Sequence, residues 1–414
     1  LMLWSYKMGP IIIFDKSTLQ SLSPDEAVWL DTHYLPNITP LFFIETLADL
    51  HPKVAKGRTP EQIVGNIAEK TPPNAGANVH HRTLCINELL GSQVTMVRHP
   101  VVDYGQSVVT GDQSGVFFAP SPEMKAFTRW QNGEFSEIER EVARAWRRAL
   151  SGLDLEAIYK QYRCKLRSLK EVKQAADAML NKSGSRYANL KLAFDTLQIP
   201  ERQRRTIRSR WKSMGGPVLA TFAPYTAHVL TVDLFFNLAI GADLIGRDRP
   251  SNKIDIAYLY YLPFCMIFAS NDSLHERTAK YFLKDDQTFL IGKDLKAELA
   301  SLDAHYSQLP QEVKDRGVMS FAGDPPHEGF LTTSLWDRFM RPDWRVKSEV
   351  PLTPEKSAKL VERINQLHDA AKQQSGIRPP VQGGDDFMLI EHSVPVRMGK
   401  WRLVPPEAEK ARRS

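Results

Sequence analysis

Short uninterrupted runs of apolar residues mark the clearest strands of this chain. Residues 11–14 (IIIF) form one such run, which stops at Asp15. A β-branched run without alternation is typical of a strand buried on both faces of a parallel sheet. Residues 266–269 (MIFA) have the same character and are followed by Ser-Asn-Asp. Residues 288–291 (TFLI) are a further run, which we expect at an edge of the sheet.

Helical segments separate these runs. Ser23 can cap a helix, Pro24 suits its first position, and Asp25 and Glu26 place acids in its first turn. Together they predict a helix that runs to about His33. Residues 36–40 predict a turn, and residues 45–50 predict a helix. Further helical patterns cover residues 122–182, 186–213, 225–244 and 353–374, and helices begin at Asp255 and at Lys293. Strands that alternate with helices predict an α/β fold with a parallel sheet flanked by helices.

The chain divides into four parts by character. We predict a core whose first half is residues 1–50 and whose second half is residues 216–304. Residues 51–215 between them predict a mainly helical insertion. Residues 305–414, with proline-rich loops and one good helix, predict an extension packed on the core.

Composition narrows the class of protein. The chain has 414 residues, of which 42% are hydrophobic and 25% charged, and no apolar run is long enough to cross a bilayer. Residues 1–7 do not resemble a secretory signal, and the three cysteines have neither zinc nor disulfide spacing. We therefore expect a cytoplasmic protein without a membrane partner. The net charge of +6 is compatible with a polyanionic partner.

Four acidic residues occupy positions at which a parallel sheet gathers its ligands. Asp15 and Asp272 follow the two strongest strands, Asp255 opens the helix before the second of them, and Glu45 opens a helix after the run LFFI. Ligands bind outside the carboxyl ends of such strands. Carboxylates that converge there repel one another and need a cation. Oxygen ligands favour Mg²⁺ or Mn²⁺, ions that can activate water and stabilise the leaving oxygen of a phosphodiester.

The same segments resemble the PIN-like nucleases. IIIFDKSTLQSL is similar to the opening strand of PIN domains, FFIETLADL to the segment that carries their glutamate, and DIAYLYYLPFCMIFASNDSLH to their third and fourth acids. The resemblance implies that Asp15, Glu45, Asp255 and Asp272 hold the metal. Ser17 and Ser270 would be polar support, and Asp49 could share the role of Glu45. Lys16 departs from the family pattern, and we expect its side chain to point away from the site.

A basic stretch could supply nucleic-acid contacts. Residues 201–212 carry six positive charges and one acid. If helical, Arg204, Arg208, Trp211 and Lys212 share a face that could follow a phosphate backbone and stack a base. A solvated helix with Ile207 and Trp211 turned inward explains the stretch equally well.

Together these features predict a divalent-metal-dependent nuclease, with RNA favoured over DNA because the resembled class contains many ribonucleases. One alternative is a catalytically silent scaffold that binds nucleic acid or a protein; a protein partner or a homo-oligomer also stays open. A haloacid-dehalogenase-like phosphatase is less favoured, because Ser17 stands where that family has its acid/base aspartate. Asp15 could also be no more than a strand-end cap or turn acid, and Asp255 and Asp272 could be no more than helix caps.

Overall fold

A computed structural model describes most of the chain. It covers residues 9–48, 50, 57–73, 75–101, 105–110, 113–118, 122–346, 362, 366, 387–390 and 395–406. Residues 1–8, Asp49 and nearly all of the helix predicted over residues 353–374 lie outside this part of the chain; residues 362 and 366 are helical.

A five-stranded parallel sheet forms the centre of the fold. Its strands are β1 (Ile11–Phe14), β2 (Leu35–Ile38), β3 (Gly76–Ala77), β6 (Ile267–Ser270) and β7 (Thr288–Ile291). They lie in the order β3-β2-β1-β6-β7. Ile12 is paired with Ile267 across β1 and β6, and Ile11 with Leu35 across β1 and β2. Every residue of β1 and β6 is buried, as expected for inner strands with helices on both faces. The predicted α/β class and the edge position of β7 are thus confirmed.

The remaining strands form two small sheets. Strands β4 (Gly105–Thr110) and β5 (Gln113–Phe118) are antiparallel, and β8 (Phe387–Ile390) pairs in parallel with β5. Strands β9 (Arg397–Met398) and β10 (Trp401–Arg402) form an antiparallel pair.

Helices make up most of the rest of the described chain. The first ten are α1 (Lys16–Ser21), α2 (Pro24–His33), α3 (Pro40–Ala48), α4 (Pro60–Ala68), α5 (His81–Leu90), α6 (Pro122–Gln131), α7 (Glu137–Ser151), α8 (Leu155–Tyr162), α9 (Leu169–Asn181) and α10 (Arg186–Thr196). The others are α11 (Glu201–Ser213), α12 (Leu219–Phe222), α13 (Pro224–Gly241), α14 (Asn252–Ala257), α15 (Ser273–Thr278), α16 (Gly292–Ser307), α17 (Gln311–Lys314), α18 (Val318–Phe321) and α19 (Leu331–Phe339). Within the described residues, no helix is both long and apolar enough to cross a membrane.

Strand β2 corrects the turn predicted at residues 36–40. Two prolines in five residues suggested a turn, but Pro36 lies in the strand and is paired with Ile12. A proline in a strand loses one donor. Burial of Ile38 and a 3.0 Å hydrogen bond, from the Asn37 side-chain amide to the carbonyl oxygen of Phe264, stabilise the strand nevertheless.

Two predicted helix starts are also wrong. Helix α3 begins at Pro40, so Glu45 lies within the helix rather than at its start; proline is well tolerated in a first helical turn. Helix α14 begins at Asn252, so Asp255 does not open it.

Segments outside the two predicted core halves contact the sheet layer. Strand β3, which falls inside the predicted insertion, pairs with β2. In the C-terminal part, the Trp336 indole donates a hydrogen bond of 2.8 Å to the carbonyl oxygen of His33. The ring of Trp401 packs edge-on against Trp29, with centroids 4.8 Å apart.

Candidate active site

Asp15 lies at the carboxyl end of β1, where the chain turns into α1. Its side chain is buried, and one carboxylate oxygen, Oδ1, accepts a 2.9 Å hydrogen bond from the backbone amide of Thr18. The other oxygen, Oδ2, accepts hydrogen bonds of 2.8 Å from the hydroxyls of Ser17 and Ser270. Asp15 therefore caps helix α1. It is also joined to the neighbouring strand through Ser270.

Ser270 connects three further parts of the site. Its hydroxyl oxygen accepts a 2.9 Å hydrogen bond from the backbone amide of Asp272, and it lies 2.7 Å from Nδ1 of His275. The other ring nitrogen of His275, Nε2, is 2.6 Å from the backbone carbonyl oxygen of Asp255. A carbonyl can only accept, so Nε2 carries the hydrogen in this contact. His275 thus fixes the helix of Asp255 relative to the end of β6.

Glu45 is held by two groups to which the sequence analysis gave no role in the site. The Tyr258 hydroxyl donates a 2.8 Å hydrogen bond to its Oε2, and the Lys16 ammonium lies 3.1 Å from its Oε1. The expectation that Lys16 points away from the site is wrong. Lys16 begins helix α1 instead of continuing the strand, so the alternation of side chains that governs a strand does not apply to it.

Asp255 shows how strongly the acidic side chains act on one another. Burial raises the pKa of its carboxyl to about 8, and the negative charges of Asp272, Glu45 and Asp15 add to that increase. The positive charge of Arg249 acts in the opposite direction. The structure therefore brings all four predicted acids into one electrostatic neighbourhood, although they come from segments far apart in the sequence.

Asp272 and the phenol of Tyr258 lie in the same neighbourhood. Asp272 accepts a 2.7 Å hydrogen bond from the backbone amide of Leu274 and so caps α15. Burial raises the pKa of the Tyr258 phenol, and the charges of Glu45, Asp15 and Asp255 raise it further. Negative charge is thus in excess around these side chains.

The donor types suit a hard divalent cation, since the four acids supply only oxygen. Negative charges that add to the raised pKa of a buried carboxyl are also what a bound cation relieves. However, in the described part of the chain no group of three or more His, Cys, Asp or Glu side chains is arranged to hold a metal ion. Binding would therefore require these carboxylates to draw together.

The predicted nucleic-acid face of α11 is only partly exposed. The Arg204 guanidinium donates to the carbonyl oxygens of Ile199 and Phe194, at 2.6 and 3.1 Å. The Trp211 indole donates to the carbonyl oxygen of Pro217 at 2.9 Å. Arg208 pairs with Glu201, and Lys212 is exposed.

Sequence reasoning missed Lys16 and Tyr258 as members of the site and favoured helix packing over a phosphate contact for His275. Signals existed for two of them. Lys16 adjoins the first acid, and His275 follows Asp272 by about one helical turn, so both had to lie near the end of a strand. Tyr258 had no signal, because its contact with Glu45 depends on the short helical segment Tyr258–Phe264 that follows α14.

Comparison with known proteins gives no relative from which a role could be transferred: no family model, no curated protein and no solved structure matches this chain.

Proposed function

We propose that this chain is a divalent-metal-dependent nuclease of the PIN-like class, which hydrolyses phosphodiester bonds and favours RNA over DNA. The observation that carries the proposal is the elevated pKa of Asp255, which the charges of three other acids increase. Four acids that lie at or near the carboxyl edge of a parallel sheet, and whose negative charges act on one another, are suited to bind a cation.

Asp15, Glu45, Asp255 and Asp272 would hold the ion, Mg²⁺ or Mn²⁺. When bound, such an ion supplies activation of water and neutralisation of charge on the phosphate. The chain's own contribution is to orient these carboxylates. The hydroxyls of Ser17 and Ser270 fix the Asp15 carboxylate, and Tyr258 fixes that of Glu45.

Cleavage of labelled single-stranded RNA, with DNA of the same sequence in parallel, tests the proposal. The wild type is compared with Asp15→Asn and Asp272→Asn in Mn²⁺ or Mg²⁺. Asp285→Asn is the matched control, because Asp285 is an exposed acid in the loop before β7, away from the carboxyl ends of the strands. We expect metal-dependent cleavage in the wild type and the control, and loss of at least 100-fold in the other two variants, as is typical when an electrostatic catalytic group is removed. Equal cleavage by all four proteins would refute the proposal.

A catalytically silent scaffold is the second candidate, and the ion pair between Lys16 and Glu45 favours it. A buried ammonium 3.1 Å from Glu45 already offsets one of the four negative charges, as a bound cation would. Under this alternative the wild type binds nucleic acid but cuts neither RNA nor DNA in either metal.

A further inference from the structure

The positive charge of this protein is concentrated in one helical hairpin. Residues 182–216, which contain α10 and α11, carry nine Lys and Arg against two acids, a net charge of +7. The whole chain has a net charge of +6, so the other residues together are at −1. Such a local excess is the electrostatic footprint of a surface that binds a polyanion.

The structure separates the cations of α11 that serve the fold from those that do not. Arg210 donates to the carbonyl oxygen of Leu89 at 3.1 Å and lies over the ring of Phe222. Arg204 is bound to backbone carbonyls as described above. In contrast, Arg202 and Lys212 are exposed, and the side chain of Arg205 is 80% exposed, with a contact of 3.7 Å to Glu201.

These three exposed cations share one side of the helix. Their spacing of three and seven residues places Arg202, Arg205 and Lys212 along one face. The opposite side of α11 is turned inward through Ile207, which is fully buried. The available cationic face therefore differs from the one predicted by the sequence, which included Arg204 and Trp211.

An aromatic ring borders this face. Tyr187 of α10 is 46% exposed, and its ring centroid lies 5.9 Å from that of Trp211. The Tyr187 hydroxyl interacts with the Arg208 guanidinium. Around the helix Arg208 lies between Trp211 and Arg205, so the ring is on the side of α11 next to the three cations. An exposed aromatic ring beside a row of cations is the arrangement that binds single strands, since cations follow the phosphates and a base stacks on the ring.

We propose that the surface formed by Arg202, Arg205, Lys212 and Tyr187 binds single-stranded RNA. We call it the α11 surface. The choice of RNA as ligand rests on the proposed nuclease function, but binding at the α11 surface is independent of cleavage and needs no metal ion. It would hold the strand while the acidic site acts on it.

Binding is measured with the full chain, a fluorescein-labelled 12-nucleotide oligouridylate and fluorescence anisotropy in EDTA at about 0.1 M salt. The test variant carries Arg202→Gln, Arg205→Gln and Lys212→Gln. The control variant carries Lys160→Gln, Arg316→Gln and Arg341→Gln, which remove the same charge from exposed positions elsewhere. Loss of three phosphate contacts is expected to weaken binding about 100-fold and to lower the salt dependence, d log K/d log [salt], by about 2. The control is expected to stay within about threefold of the wild type.

Tyr187 is tested by two substitutions. Tyr187→Phe keeps the ring and is expected to bind like the wild type, whereas Tyr187→Leu is expected to bind roughly fivefold to 100-fold more weakly. A duplex, whose bases cannot stack on the ring, is expected to bind more weakly than the single strand.

Three results would overturn the inference. The test variant could bind like its control, Tyr187→Leu could bind like Tyr187→Phe, or polyglutamate could compete as well as unlabelled oligouridylate, which would indicate an acidic protein partner. Because binding is measured in EDTA, these failures are distinct from a failure of the nuclease proposal, which appears only as absent metal-dependent cleavage.

Discussion

Replacing Asp255 with asparagine should make the metal-free protein more stable at alkaline pH. Asparagine has nearly the same shape but cannot ionise, so it removes a charge that its surroundings disfavour. The carboxyl of Asp255 has a pKa of about 8 in the folded protein and an ordinary value of 3.8. The folded state therefore binds this proton more tightly than the unfolded state does. The stability gained from that proton is fully present below pH 3.8, declines as pH rises, and is lost above pH 8.

The size of the effect follows from these two pKa values. Their difference corresponds to roughly 5–6 kcal/mol at 1.36 kcal/mol per pH unit. Asp255 is only partly buried, and solvent screens part of its charge, so we expect about half of this, ~3 kcal/mol, to be measurable. Between pH 5 and pH 8.5 the advantage of Asp255→Asn over the wild type should grow by about 2 kcal/mol.

Urea denaturation in EDTA, followed by tryptophan fluorescence at pH 5, 7 and 8.5, measures this difference. The exposed Asp285→Asn variant is the control and should show no pH-dependent advantage. A constant difference between Asp255→Asn and the wild type would refute the reasoning. So would an Asp255→Asn protein that is less stable than the wild type at pH 8.5, because either result would mean that burial and the neighbouring acids do not disfavour the charge of Asp255 in the folded protein.

Three further substitutions test the packing and polar contacts. Lys16→Met should lower the free energy of unfolding, measured by urea denaturation, by about 3 kcal/mol, because it leaves Glu45 without its cation. In a Glu45→Gln background the same substitution should lower it much less. Equal losses in the two backgrounds would exclude a coupled pair. Ser270→Ala removes hydrogen bonds at the centre of the site and should cost about 1–3 kcal/mol in the same assay; a cost below about 0.5 kcal/mol would contradict the geometry. Gly241→Ala should lower the melting temperature, because its added methyl group would overlap the backbone carbonyl oxygen of Tyr162. Gly323→Ala is the control and should leave the melting temperature unchanged, because its methyl group meets no atom within 4 Å. Equal melting temperatures of the two variants would contradict the close approach of Gly241 to Tyr162.

The parts of the fold that the sequence predicted are those with strong local signals. The buried runs of β1 and β6 and the capped helix α2 are specified by neighbouring residues, and the structure has them within one residue. Strand β2 was missed because two prolines gave a turn signal that tertiary burial overrode. Strand β3 has only two residues, too few for any periodic pattern.

In the candidate site, too, only residues with a local sequence signal could be located in advance. Asp15 and Asp272 could be located because each follows a strand that its own sequence reveals. The contacts of Lys16 and Tyr258 with Glu45 could not, because they join segments separated by 29 and 213 residues. Such contacts depend on how α1, α3 and the segment after α14 pack, which no local pattern records.

Titration of Mn²⁺ into the metal-free protein by calorimetry tests the central claim most directly. At pH 7.5 we expect binding to release protons, detected by comparing two buffers with different heats of ionisation, because the raised pKa of the Asp255 carboxyl keeps part of it protonated before an ion binds. Proton release should vanish at pH 9, and binding should be lost when Asp15 and Asp272 are both replaced by asparagine. Absence of Mn²⁺ binding by the wild type, or binding that survives in that double variant, would contradict the proposal that these four acids form a metal site.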